Sequence, residues 1–155
     1  MNFLLLTGSL LFFAALQSRL PTLWWLGGLR IEFLPALVAY GALTLRGSRA
    51  LLLALTAGFI QDALSAAPFG MTALIYGVFA LVIIGVREAL DRDLPWVQMG
   101  AGAIAAGATS LAASIVVGFS FGAVVKILLV AAVSAIVAPL VFLAIDYVRL
   151  LAGTT

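Results

Sequence analysis

Long apolar runs alternate with short polar breaks along the chain, and the charged residues gather almost entirely at the breaks. A helix crossing about 30 Å of hydrocarbon needs roughly 17 to 25 mostly apolar residues, and the pattern predicts six such spans. The first runs from about Asn2 to Gln17 and stops at Ser18, Arg19 and Pro21, and the second runs from about Ile31 to Leu45 with Glu32 and Pro35 near its start. The third covers about Ala50 to Ala67, and Pro68 divides it from a fourth over Phe69 to Val86. The fifth runs from Pro95 to about Gly118 and the sixth from about Val124 to Val148. The expected fold class is therefore all-α, a single polytopic membrane domain over residues 1–155 with six transmembrane helices.

Composition closes off the soluble alternatives. Of 155 residues, 65% are hydrophobic and 9% charged, and the mean hydropathy is +1.28. That leaves too little polar surface to coat a water-soluble domain of this size. Cysteine and histidine are both absent, so disulfides, thiolate or imidazole metal sites and the commonest general base are excluded, and no metal or cofactor is expected. A net charge of +2, spread over scattered arginines, gives no footprint for nucleic acid. The opening stretch "MNFLLLTGSLLFFAALQSRL" has an apolar core and small residues near Ala15 but lacks the basic segment of a secretory signal, so it reads as a retained helix.

Lysine and arginine in short loops set the orientation of a membrane protein. Six spans put both termini on one side, together with Arg46, Arg49, Arg87, Arg92 and Arg149, against Arg19, Arg30 and Lys126 on the other. The termini are therefore expected in the cytoplasm, with a five-span or inverted topology as the alternative. Trp24 and Trp25, in the outer loop "SRLPTLWWLGGLR", fit an interfacial aromatic belt, with direct partner contact as the other reading.

Several polar or small-residue features have simple structural explanations. In "REALDRDLP", Arg87 with Asp91 and Glu88 with Arg92 are spaced i,i+4, as a helix continuing beyond the membrane would pair them. Asp146 and Arg149 lie one turn apart at the inner end of the last span. The run "MGAGAIAAGATSLAAS" in the fifth span, with Ala103 and Gly107 four apart, and the Gly118–Gly122 pair suit close helix packing. Pro139 inside the sixth span removes a backbone hydrogen bond and predicts a kink, with Ser134 as one candidate donor to the freed carbonyl.

Asp62 is the anomaly, a carboxylate within the third apolar run. It lies roughly 18 Å along the helix from Ala50, and an aspartate at mid-helix costs about 2.5 to 3.5 kcal/mol on insertion. Gly58, Asp62 and Ser65 at i, i+4 and i+7 share one helix face, which is expected to point inward. In one reading the third helix ends near Ser65, the chain turns through "AAPFG", and Pro68 opens the fourth helix at its first position. Asp62 or Ser65 then accepts from the unsatisfied amides that follow. An ion pair with Arg30 or Arg19, proton or ion coupling, and partner recognition are the other readings.

The run "RIEFLPALVAYGALTLRGSRALLLALTAGFIQDALSAAPFGMTALIYGVFALVI" resembles the MreD family of rod shape-determining membrane proteins. The likeness rests on Arg30 opening the second span, Tyr40 followed by small residues and Leu43, then Gly58, Asp62, Ser65, Gly70 and Ala73-Leu74 in order, with Pro139 and Phe142 in "APLVFLAIDYVRLL". It covers about half of the chain. The resemblance implies a non-enzymatic subunit of the bacterial cell-wall elongation machinery in the cytoplasmic membrane. Its partner would be an MreC-like protein, and through that a RodA-type glycosyltransferase and its transpeptidase. It also implies a fold like that of the substrate-binding components of energy-coupling-factor vitamin transporters, with Asp62, Ser65, Pro68 and Gly70 forming a signature turn. Such a transporter component is the alternative function. An intramembrane hydrolase comes third, because Ser110, Ser114 and Ser134 have no histidine and Lys126 is expected near a membrane boundary.

Overall fold

The computed structural model describes residues 3–19, 32–65, 68–91, 94–118 and 121–151. They form six helices: α1 (Phe3–Arg19), α2 (Leu34–Thr44), α3 (Gly47–Leu64), α4 (Met71–Val86), α5 (Pro95–Val117) and α6 (Phe121–Leu151). Each coincides with one of the expected apolar runs. Two of them, α5 and α6, are long and apolar enough to cross a membrane.

Helix α2 is the axis of the bundle. It touches all five other helices, while α1, α3, α4, α5 and α6 close a ring around it in that spatial order, with α6 returning to α1. Every residue from Leu34 to Ala42 is buried. A helix apolar on all sides has no solvent face to present and is stable only when enclosed. Pro35 sits in its first turn, where the missing amide costs no helical hydrogen bond. The ring helices turn apolar side chains outward, among them Leu11 and Phe12 on α1, Leu52 on α3, Leu81 on α4, Ile104 on α5 and Leu143 on α6. A continuous apolar exterior of this kind suits lipid better than water.

Small residues set the helix spacing. A Cβ added at Gly102 of α5 would stand 2.6 Å from the Ala138 Cβ and 3.1 Å from the Ser134 carbonyl oxygen of α6. The face of α5 turned inward carries Ala101, Gly102, Ala105 and Ala106, one position away from the Ala103 and Gly107 pair singled out by spacing. The Gly118–Gly122 pair does not form a packing stripe on one helix. Gly118 caps the end of α5 at φ 111°, a conformation that strains other residues, and Gly122 lies in the first turn of α6.

One further expectation is corrected at the end of α4. The helix stops at Val86 and residues 87–89 form a turn, so it does not continue past the bundle to bring Arg87 to Asp91. Instead the Arg87 guanidinium swings to the C-terminal end of α2 and donates to the Leu45 carbonyl at 2.8 Å. That carbonyl is one of the acceptors a helix terminus leaves open, and a cation is favoured there. Arg92 lies outside the described residues. Helix α6 runs through Pro139 to Leu151 as one element.

The contrast between neighbouring glycines of α5 is testable. Gly102→Ala should destabilise the bundle by about 1 to 3 kcal/mol through overpacking. Gly107→Ala, whose Cβ would meet Ala131 at an ordinary 3.8 Å, should be near neutral. Unfolding titrations in mixed micelles would read both, and equal stability of the two variants would contradict the close α5–α6 approach.

Candidate functional site

The turn between α3 and α4 is built around Asp62. Helix α3 ends at Leu64, and Ser65 leaves it in an extended conformation, φ −116° and ψ 163°. After Pro68 and Phe69 the chain reverses at Gly70, whose φ of 95° and ψ of −13° place it in the left-handed region open to glycine. This conformation aims the first amides of α4 back at α3. The Asp62 carboxylate, 3% exposed, takes one on each oxygen: Gly70 N donates to Oδ2 at 2.8 Å and Thr72 N to Oδ1 at 3.1 Å.

The acid therefore caps the following helix from across the turn. It satisfies two amides that a helix start leaves open, and its charge lies at the positive end of the α4 dipole. Among the described residues no ion pair reaches it, and Arg19 is exposed at the end of α1. The expected Arg30 contact and the Trp24–Trp25 belt lie outside the described residues.

Of the five turn residues picked out by sequence, Gly58, Asp62 and Gly70 act together. Gly58 is buried one turn before Asp62, and a Cβ there would run into the backbone of Ala73 and Thr72. Its lack of a side chain lets α4 approach close enough for its amides to reach the carboxylate. Ser65 does not share a helix face with them, because the helix has already ended; its hydroxyl reaches the Asp62 carbonyl at 3.5 Å. Pro68 is not the first residue of α4, which begins at Met71 with Gly70 as its cap. It stands exposed in the turn and its carbonyl accepts from Met71 N at 3.2 Å.

A polar layer extends from this turn across the same end of the bundle. Gln61 accepts from Gln17 Nε2 at 2.9 Å, and Gln17 Oε1 in turn accepts from Phe33 N at 3.2 Å, just before α2. Both glutamines are buried. Tyr76, one helical turn beyond Thr72, is fully buried, and its hydroxyl has no hydrogen-bond partner among the described residues. On the outer surface of the turn the rings of Phe59 and Phe69 stack at 5.5 Å, and Phe69 is 74% exposed.

The opposite end carries a second network. Tyr40 of α2 donates to Asp146 Oδ1 at 2.6 Å, and Arg149 Nη1 donates to the Tyr40 hydroxyl at 2.9 Å and to Asp146 at 3.1 Å. The Tyr40 ring meets Phe142 edge-on at 5.0 Å. Asp146 and Arg149 are thus anchored to the central helix and do more than pair along α6. Sequence reasoning missed this link, as it missed Gln17 and Gln61. Neither glutamine has a local partner, although two amide side chains within apolar runs were a usable signal. The serines of the hydrolase reading are not joined to Lys126, which is exposed near the start of α6, while Ser114 donates to the Ser110 carbonyl at 2.8 Å.

Substitutions at Asp62 should separate by the amides they strand. Asp62→Asn keeps one acceptor but turns its NH2 toward the other donor, which should cost about 1 to 3 kcal/mol, and Asp62→Leu should cost about twice that. Gly58→Ala should destabilise the bundle by a similar amount, about 1 to 3 kcal/mol, by pushing α4 away. Micelle unfolding titrations test the order, and an Asp62→Leu protein as stable as the parent would remove the capping role. Compared with known proteins, the chain matches no family model, no curated protein and no solved structure.

Proposed function

We propose that the chain is a non-enzymatic, six-span scaffold of the bacterial cell-wall elongation machinery that binds an MreC-like partner through the α3–α4 turn. It would lie in the cytoplasmic membrane with both termini inside, its fold akin to that of energy-coupling-factor substrate-binding components. The partner would link it to a RodA-type glycosyltransferase and its transpeptidase, supporting rod shape. The observation that carries this reading is the commitment of the Asp62 carboxylate to two backbone amides. An acid held in that way shapes the surface beside it. What it shapes is an exposed turn with Pro68 and the stacked Phe59–Phe69 pair, an aromatic surface of the kind that serves as a binding anchor.

The orientation draws on charge. Arg46, Arg49, Arg87 and Arg149 share the end opposite Asp62, and Arg19 lies at the Asp62 end with Lys126 near the start of α6. The alternation of six helices supports six crossings, with α1, α3 and α4, at 16 to 18 residues each, about 24 to 27 Å long and the enclosed α2, at 11 residues, about 16 Å. The transporter-component reading is favoured by one feature, the buried polar layer near Asp62 with a Tyr76 hydroxyl that has no partner among the described residues. Thermal stabilisation by a vitamin-like ligand would promote that reading over the scaffold.

A photoreactive residue at Phe69 should crosslink to an MreC-like protein in native membranes, whereas one at Leu143 on the outward face of α6 should capture lipid. Absence of a partner at Phe69, or equal capture from both positions, would end the scaffold reading.

A further inference from the structure

At the end of the bundle opposite Asp62, the α2–α3 turn holds a cleft of about 270 Å³ lined by Thr44, Leu45, Arg46 and Arg49. Its lining contains two guanidinium groups and no acid. The Thr44 hydroxyl already donates inward to the Tyr40 carbonyl at 2.7 Å, and the Leu45 carbonyl is occupied by Arg87. Arg87 thereby fixes a third cation beside the cleft. Arg149, the other arginine at this end, is engaged by Asp146 and Tyr40, whereas Arg46 and Arg49 are exposed and no carboxylate among the described residues pairs with them.

The surface leading away from the cleft is apolar. Arg49, Leu52, Thr56 and Phe59 are all exposed and fall at i, i+3, i+7 and i+10 along α3, so they lie on one outward face. The Thr56 hydroxyl is folded back onto the Leu52 and Leu53 carbonyls, which hides its polarity from that face. A cleft lined by two arginines and no acid that continues into an apolar strip matches a molecule with an anionic head and a hydrocarbon tail.

We propose that this cleft seats the phosphoryl headgroup of an anionic phospholipid, with an acyl chain lying along the Arg49–Thr56 face of α3. Arg46 and Arg49 supply the charge and the donors, and Arg87 holds the floor of the cleft in place. The inference rests on the reading of the chain as a membrane protein whose α2–α3 turn lies at the lipid headgroups.

Incorporation of the full chain into phosphatidylcholine nanodiscs tests that underlying reading first, and failure to incorporate would overturn both. Lipid retention is then measured by native mass spectrometry of protein extracted from discs containing phosphatidylglycerol. The expected result is selective retention of phosphatidylglycerol by the parent, reduced roughly 30-fold in Arg46→Gln/Arg49→Gln, from about 1 kcal/mol for each basic side chain near an anionic surface. Arg19→Gln/Lys126→Gln should retain it as the parent does. In the parent alone, the preference should weaken with added salt, which keeps the proposal testable if the double variant does not fold. Equal retention of phosphatidylcholine and phosphatidylglycerol, or unchanged retention in the Arg46/Arg49 variant, would overturn the site. Displacement of the lipid by millimolar inorganic phosphate would reassign it to free phosphate.

Discussion

Within an apolar bundle a backbone amide without an acceptor has no water to turn to, and the α3–α4 turn has to meet that constraint twice in three residues. Asp62 meets it with a single side chain, one oxygen for Gly70 and one for Thr72. The cost of carrying a carboxylate in an apolar run is offset by two charge-assisted hydrogen bonds and by the positive end of α4. The arrangement works only because Gly58 lets the backbones of α3 and α4 come together and Gly70 turns the chain through a left-handed conformation.

The same demand recurs at both ends of α2. Phe33 N, at the start of α2, is satisfied by Gln17, which is itself held by Gln61 next to Asp62. The C-terminal end of α2 is met by Arg87 at the Leu45 carbonyl, and Tyr40 near it is tied to Asp146 and Arg149 of α6. The central helix is thus polar-bonded at its two ends and apolar between them. Eleven residues reach only about 16 Å, and both ends of this short helix take polar contacts from residues of neighbouring segments.

Small residues make such an interior possible. Apolar helices gain little from hydrophobic burial against one another when the surroundings are equally apolar, so close packing has to hold them together. The contacts at Gly58–Ala73 and Gly102–Ala138 serve that purpose at separate places in the ring. Larger side chains such as Leu52, Leu81 and Leu143 are turned outward. The two termini of the bundle then differ in chemistry. One presents an aromatic turn over a buried polar layer, and the other presents arginines around a cleft, which separates the surface proposed for a protein partner from that proposed for lipid.

Apolar run length and polar punctuation determined, from the sequence alone, the all-α class and where the six helices of the described residues lie to within a few residues, because element type and position carry local signals. The sequence also marked Asp62, Gly58 and Gly70, since a carboxylate among apolar residues and glycines beside it have few uses. The tertiary structure alone decided that α2 is the enclosed helix and that Gln17 meets Gln61. It also decided that Tyr40 binds residues more than a hundred positions away, and that Pro68 stands in the turn with the helix starting after it. Those outcomes depend on which faces of distant segments come together, and six runs of similar hydropathy carry no local signal of their neighbours in space.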